Sequence, residues 1–256
     1  MSASHKLAIV TGASGGIGAE IGRLLKNESG LEVWLVARRL DRMQTLAEEF
    51  QAKGARVRVL ALDLQNPESW LELESQVKMS GQRVAWLVNN AGFGYAGRVE
   101  TQSLESLEGM IQLNVTALAS ITRRLIPFME EGSHIVNIAS SIAFLPVPGN
   151  TLYAATKAFV LSFSLGLRVE LRSRGITVSA VCPGPVATEF WDTSGMSAPS
   201  KLFIEDAKNT AFLSVEKSAQ AKAVIITGFL AWAARVAGAL LPRTWLASLA
   251  SSRLPK

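Results

Sequence analysis

The chain has one cysteine, two histidines and two tyrosines in 256 residues. A lone Cys182 cannot form an internal disulfide, which excludes a small scaffold held by crosslinks. One cysteine with His5 and His134 does not make a zinc pattern either, and no metal is expected. Cys182 reads as a small buried filler at a strand end, since no catalytic partner is patterned with it. Charged residues are also scarce, at 18% against 48% hydrophobic, with a mean hydropathy of +0.24. That balance excludes a disordered chain, because apolar burial offsets the ordering entropy. There is no solenoid period, no low-complexity tract and no linker long enough to divide the chain, so a single domain is expected. The first residues run directly into an apolar strand with no longer hydrophobic segment, and no signal peptide is expected.

A net charge of +5 and a pI near 9.6 suggest affinity for an anionic partner. The basic residues fall in short groups, Arg38–Arg39, Arg123–Arg124 and 172–174, without interleaved aromatics or a helix-turn-helix spacing. Nucleic acid is therefore not expected as a partner.

What is present is an alternation. Short apolar runs at 7–10, 32–37, 56–61, 86–88, 134–138, 177–181 and 223–227 read as seven strands. Several are apolar almost throughout, with no alternation, as strands covered on both faces are. Amphipathic stretches at 17–26, 42–52, 67–79, 107–128 and 153–174 separate them. The pattern predicts a doubly wound α/β domain of the Rossmann type, with a parallel sheet of about seven strands and helices on both faces. An irregular stretch from 183 to about 200, with Gly184, Pro185, Gly195 and Pro199, reads as part of a substrate lid spanning about 185–222.

The segment TGASGGIG, 11–18, joins the first strand to the first helix. Glycines there let backbone N–H groups and the helix N-terminus approach a pyrophosphate. Gly12, Ser14, Gly15, Gly16, Ile17 and Gly18 are the candidate phosphate-binding residues. The second strand ends in Arg38 and Arg39 where an acidic residue would bind a ribose 2′-hydroxyl, so NADP(H) is favoured over NAD(H). A surface basic pair at a strand exit is the plain alternative. Asp63, with Leu64, follows the third strand and could accept from an adenine amino group or simply cap a turn.

Tyr153 and Lys157 stand four apart at the start of a helical stretch and share a face. A neighbouring ammonium favours tyrosinate, making the phenol a usable proton donor and acceptor; a snorkelling surface pair has the same spacing. Ser140, at the end of the fifth strand, could donate to a carbonyl oxygen on which negative charge grows.

With these motifs in view, the chain resembles the short-chain dehydrogenase/reductase family. The resemblance rests on TGASGGIG at 11–18, NNAG at 89–92, Asn114, Ser140, YAATK at 153–157 and PGPVAT at 183–188, and covers about 6–190 with a weaker echo near Ile226. It implies an oxidoreductase that passes hydride between NADP(H) and a carbonyl or secondary alcohol; a non-catalytic NADP(H)-binding sensor or scaffold that keeps the fold is the alternative, against which the intact Asn114, Ser140, Tyr153 and Lys157 set argues. In the oxidoreductase scheme Tyr153 is the general acid/base and Lys157 lowers its pKa and holds the nicotinamide ribose. Ser140 orients the carbonyl, and Asn114 anchors a relay water. Ser140 is chosen over Ser141 because it precedes Tyr153 by thirteen residues, the family's usual interval. Asn90, Ala91 and Gly92 would line the adenosine side, and Pro183, Gly184, Val186 and Thr188 the nicotinamide side. A cytoplasmic homo-oligomer, as a dimer, is the expected form.

Apolar residues in and near the lid (Phe93, Phe144, Leu145, Phe190, Trp191, Met196, Leu202 and Phe203) suggest a hydrophobic ketone or aldehyde as substrate. The ending, about 229–256, departs from the family's usual short close. It is rich in Leu, Ala, Trp and Arg and reads as an amphipathic helical pair that covers the active site, a partner subunit or a membrane surface. A spanning helix would need about 20 apolar residues, and Gly228 and Gly238 interrupt the run.

Overall fold

The computed structural model describes residues 5–196, 200 and 203–251. Seven strands form one parallel sheet: β1 (Lys6–Thr11), β2 (Leu31–Ala37), β3 (Arg56–Ala61), β4 (Val84–Asn89), β5 (His134–Ile138), β6 (Thr177–Cys182) and β7 (Val224–Ile226). Their order is β3-β2-β1-β4-β5-β6-β7. The direction of winding reverses between β1 and β4, which opens a crevice at the carboxyl ends of the strands.

Alternate residues of β1 show why the sheet is covered twice. Leu7 and Ile9 enter a core with Trp70, Leu73 and Ile121, whereas Ala8 and Val10 enter one with Ile21, Met43 and Ala211. The first core is closed by α3 (Pro67–Ser80), α5 (Leu118–Leu125) and α6 (Thr151–Glu170), the second by α1 (Gly16–Leu25), α2 (Leu40–Gln51) and α8 (Ala207–Ala219). Both faces of the strand are thus dry, and an apolar run without alternation is the necessary sequence. β3, at the sheet edge, is the exception, and its alternation of exposed Arg56 and Arg58 with half-buried Val57 and Val59 follows from that position.

Three elements differ from the sequence reading. The stretch 107–128 is not one helix: α4 (Leu104–Ile111), started by the Ser103 side chain accepting from the Ser106 N–H, leads into a π-helical segment, Gln112–Ala117, before α5. A turn of 3-10 helix, Ile126–Phe128, closes it, where Pro127 lacks the N–H that an α-helix needs. The helix expected over 153–174 is α6, which starts two residues earlier, and Gly175 at φ 65° ends the 3-10 turn that follows it. The stretch 183–200 is not wholly irregular, since α7 (Phe190–Ser194) lies within it and Val186 pairs with Glu205 as an isolated parallel bridge. Pro199, Leu202, Arg253 and Lys256 lie outside the described residues.

The C-terminal helical pair is present as α9 (Phe229–Leu240) and α10 (Arg243–Ser251). α9 rests on the 3-10 turn Ser141–Phe144, and a Cβ at Gly238 would collide with the Phe144 carbonyl.

Candidate active site

The loops leaving β1, β2, β3, β4, β5 and β6 meet around a cleft of about 520 Å³. At one end is the turn between β1 and α1. Gly12 (φ 65°) and Gly16 (φ 54°) adopt left-handed backbone, and a Cβ on Gly16 would stand 2.9 Å from the Thr188 methyl. The N-terminus of α1 begins after Gly15 with no side-chain cap and no acidic residue in its first turn. Its first N–H groups and dipole are available to an anion, and the cradle admits one only because no side chains fill it.

Asn90 holds this turn in shape. Its Nδ2 donates to the Thr11 carbonyl (3.0 Å) and the Gly12 carbonyl (3.1 Å). Thr11 Oγ1 completes the brace, accepting from the Asn90 and Ala91 N–H groups and donating to the Val88 carbonyl. A Cβ on Gly18 would strike both Asn90 Nδ2 and the Gly12 carbonyl. Gly18 therefore shapes the cradle from behind and does not line the cleft.

Beyond β2 the cleft is lined by two arginines, Arg38 and Arg39, with Arg42 standing just outside it. Arg39 donates through Nε (3.1 Å) and Nη2 (3.0 Å) to Ser14 Oγ, and its Nη1 pairs with Glu189 at 2.6 Å. Arg42, which the sequence reading passed over, donates to the other Glu189 oxygen. These two guanidiniums hold the Glu189 carboxyl below its ordinary range. Arg38 is exposed on the cleft wall. Asp63 also lines the cleft, and its Oδ1 accepts from the Gln65 N–H at 3.1 Å, so the turn-capping interaction is present. Leu64 is buried beside it.

At the other end, α6 brings Tyr153 and Lys157 together beneath Ser140. Lys157 is buried, donates from Nζ to the Ile138 carbonyl (2.8 Å) and sits 5.8 Å from the Tyr153 ring centre. Burial pulls its ammonium down to about 8. Tyr153 is pushed up to about 12 by burial, with the hydrogen-bonded Ser140 side chain acting in the opposite direction. The lowering by Lys157 anticipated from the sequence is not what dominates in this chain, because loss of solvent around the phenol outweighs it. Ser140 rather than Ser141 makes this contact, and the Ser141 N–H is committed to the Pro183 carbonyl (2.7 Å).

Asn114 sits in the π-helical segment but does not reach the cleft. Its Oδ1 accepts from the Phe93 N–H (3.0 Å), and its Nδ2 donates to the Phe93 carbonyl (2.7 Å) and to Thr156 Oγ1 (3.1 Å). Both ends of the amide are engaged, so the side chain ties the loop after β4 to α6. That loop approaches closely: a Cβ on Gly92 would stand 2.9 Å from Asn114 Oδ1, and one on Gly94 2.5 Å from the Tyr153 ring.

The model of the family described as short chain dehydrogenase matches residues 6–197, three quarters of the sequence. The chain belongs to the short-chain dehydrogenases. An uncharacterised oxidoreductase of Myxococcus xanthus is 32% identical over 80% of this chain and 81% of its own length. Among solved structures, a short-chain dehydrogenase of Sphingobium yanoikuyae in complex with NADPH superposes with a TM-score of 0.80 at 30% identity, covering 98% of this chain and 97% of that one. A Burkholderia phymatum member in complex with NAD gives a TM-score of 0.77 at 25% identity over 88% and 90%. The Sphingobium match takes in nearly the whole chain, so the long ending is shared with that short-chain dehydrogenase.

In this short-chain dehydrogenase the cleft collects Gly12, Ser14, Gly15, Gly16, Ile17, Arg38, Arg39, Asp63, Leu64, Asn90, Ala91, Gly92, Ser140, Tyr153, Lys157, Pro183, Gly184, Val186 and Thr188. Phe93, Phe190, Trp191 and Met196 also line it, whereas Phe144, Leu145 and Phe203 do not. Glu205 was missed. Its Oε1 accepts from the Gly184 N–H (2.8 Å), and its backbone pairs with the Pro185 carbonyl (2.7 Å) and the Ala187 N–H (2.9 Å). Burial raises its carboxyl above the ordinary range, with the Gly184 hydrogen bond among the opposing contributions. Cys182 is buried with its thiol pushed up to about 12, an unreactive state. Among the described residues no group of three or more His, Cys, Asp or Glu is gathered as a metal site would require.

Proposed function

We propose that this short-chain dehydrogenase uses NADP(H) to interconvert a hydrophobic ketone or aldehyde and its alcohol. The observation that carries the reading is one continuous cleft with an uncapped helix N-terminus and arginines at one end, and Ser140, Tyr153 and Lys157 at the other. The cradle fits a dinucleotide diphosphate because a Cβ on Gly16 would press on Thr188 and fill it. Gly12, Ser14, Gly15, Gly16 and Ile17 would hold the diphosphate, and Arg38 and Arg39 a 2′-phosphate. Asp63, Leu64, Asn90, Ala91 and Gly92 would border the adenosine, and Pro183, Gly184, Val186 and Thr188 the nicotinamide. When bound, the nicotinamide supplies or accepts the hydride.

For reduction, Ser140 hydrogen-bonds the substrate oxygen and Tyr153 gives it the phenolic proton as charge develops there. Tyrosinate so formed is stabilised by the Lys157 ammonium, fixed by its bond to the Ile138 carbonyl. Asn114 positions α6 through Thr156 and the loop after β4 through Phe93. Phe93, Leu113, Ile142, Phe190, Trp191 and Met196 supply the apolar wall that favours a hydrophobic substrate. The test is a titration with NADPH and NADH followed by a substrate screen with NADPH. Preferential NADPH binding with turnover of apolar ketones supports the reading. Turnover of polar sugars alone, or preferential NADH binding, overturns it.

A further inference from the structure

α9 and α10 bury little of their apolar surface: Phe229 is 68% exposed, Trp232 54%, Leu240 76% and Trp245 64%. Phe229 and Trp232 stack with ring centres 6.0 Å apart, forming one aromatic ridge. From 217 to 256 the sequence holds six basic residues and no acidic one, and Arg235 and Arg243 are exposed on the two helices. We propose that this helical pair docks in the plane of an anionic lipid surface.

Charge selects the occupant. A second copy of the same face would bring two basic surfaces together with no carboxylate on either helix to pair them, whereas anionic headgroups neutralise Arg235 and Arg243. Tryptophan rings beside arginines suit the boundary between headgroups and acyl chains. α9, with 12 residues, is about 18 Å long and too short for a hydrocarbon core of about 30 Å, so it lies along the surface. Because α9 rests on Ser141–Phe144, and Ser141 and Ile142 line the cleft, docking would fix the cleft rim near the lipid. The proposal is independent of which substrate the cleft turns over.

The test is flotation of the full chain with vesicles of phosphatidylcholine plus phosphatidylglycerol, compared with phosphatidylcholine alone. The chain is expected to float with the anionic vesicles and to be released by high salt. Trp232→Ser with Trp245→Ser should abolish flotation. Arg235→Gln with Arg243→Gln should weaken it about 25- to 30-fold, at about fivefold per basic side chain near an anionic surface. The arginine variant alters only exposed side chains and decides the matter if the tryptophan variant fails to fold. Absence of flotation with anionic vesicles, or unchanged flotation of the arginine variant, overturns the proposal. So does a chain that ignores vesicles and forms a dimer that the tryptophan variant dissociates, which would make this face an interface between copies.

Discussion

Replacing Arg39 by Ala tests how the cleft would distinguish two cofactors that differ by one phosphate. In the structure its guanidinium spans two partners, Ser14 Oγ at 3.0–3.1 Å and Glu189 at 2.6 Å, with the side chain 45% exposed. A hydrogen bond to a charged group contributes about 1.5–3 kcal/mol. Exposure to solvent and screening reduce this, and Glu189 must be displaced in part, so about 1–2 kcal/mol is a reasonable net value. That corresponds to about 5- to 30-fold weaker NADPH binding, with NADH changed by no more than about twofold. The assay is nicotinamide fluorescence and tryptophan quenching, titrated with each cofactor at fixed ionic strength. Glu189→Gln should move NADPH affinity the opposite way, by freeing Arg39 and Arg42. Equal weakening for both cofactors in Arg39→Ala would refute the reasoning and make Arg39 a brace for the glycine turn through Ser14.

Three further outcomes follow from particular contacts. Gly94→Ala places a methyl 2.5 Å from the Tyr153 ring, so turnover should fall about 100-fold, as a misplacement of about 1 Å can produce, while a binding titration shows NADPH affinity unchanged. Lys157, pulled down to about 8 by burial, is charged below that pH and neutral above it. The reduction rate should therefore decline as pH rises through about 8, and a pH-rate profile flat from 7 to 9 would contradict that role. Glu205 has its carboxyl raised in the fold, so the native state holds this proton more tightly than the unfolded chain. Its contribution is harmless below the ordinary carboxyl range and destabilising once pH passes the raised value. Glu205→Gln should thus raise the melting temperature at neutral pH and leave it nearly unchanged in acid; a lower neutral melting temperature would show that the Gly184 loop requires the carboxylate.

Much of the architecture could be read from the chain because its physical causes are local. Apolar runs without alternation report strands covered on both faces, as Leu7 and Ala8 show by entering opposite cores. Glycines at a strand-to-helix junction likewise report a cradle. The missing parts depend on contacts across the fold. The π-helical segment around Asn114 follows from bonds to Phe93 and Thr156, which no 3.6-residue period displays. Glu205 meets Gly184 across 21 residues and Glu189 meets Arg42 across 147, separations at which sequence spacing carries no signal. Gly94 was legible in principle, since the GFG at 92–94 repeats glycine where the backbone passes a ring. Tyr153 shows the limit of a pairing argument: Lys157 is beside it, yet burial decides the direction of its pKa.

The most direct test of proton transfer by Tyr153 is a comparison of the intact chain with Tyr153→Phe, measuring NADPH binding and NADPH oxidation against the same apolar ketone. The substitution removes only the phenolic oxygen and keeps the ring that packs near Phe190. The expected result is unchanged NADPH binding with turnover lowered by at least about 100-fold, the lower range for a positioned acid/base. Undiminished turnover would contradict the assignment and leave the Ser140, Tyr153 and Lys157 cluster as a binding surface alone.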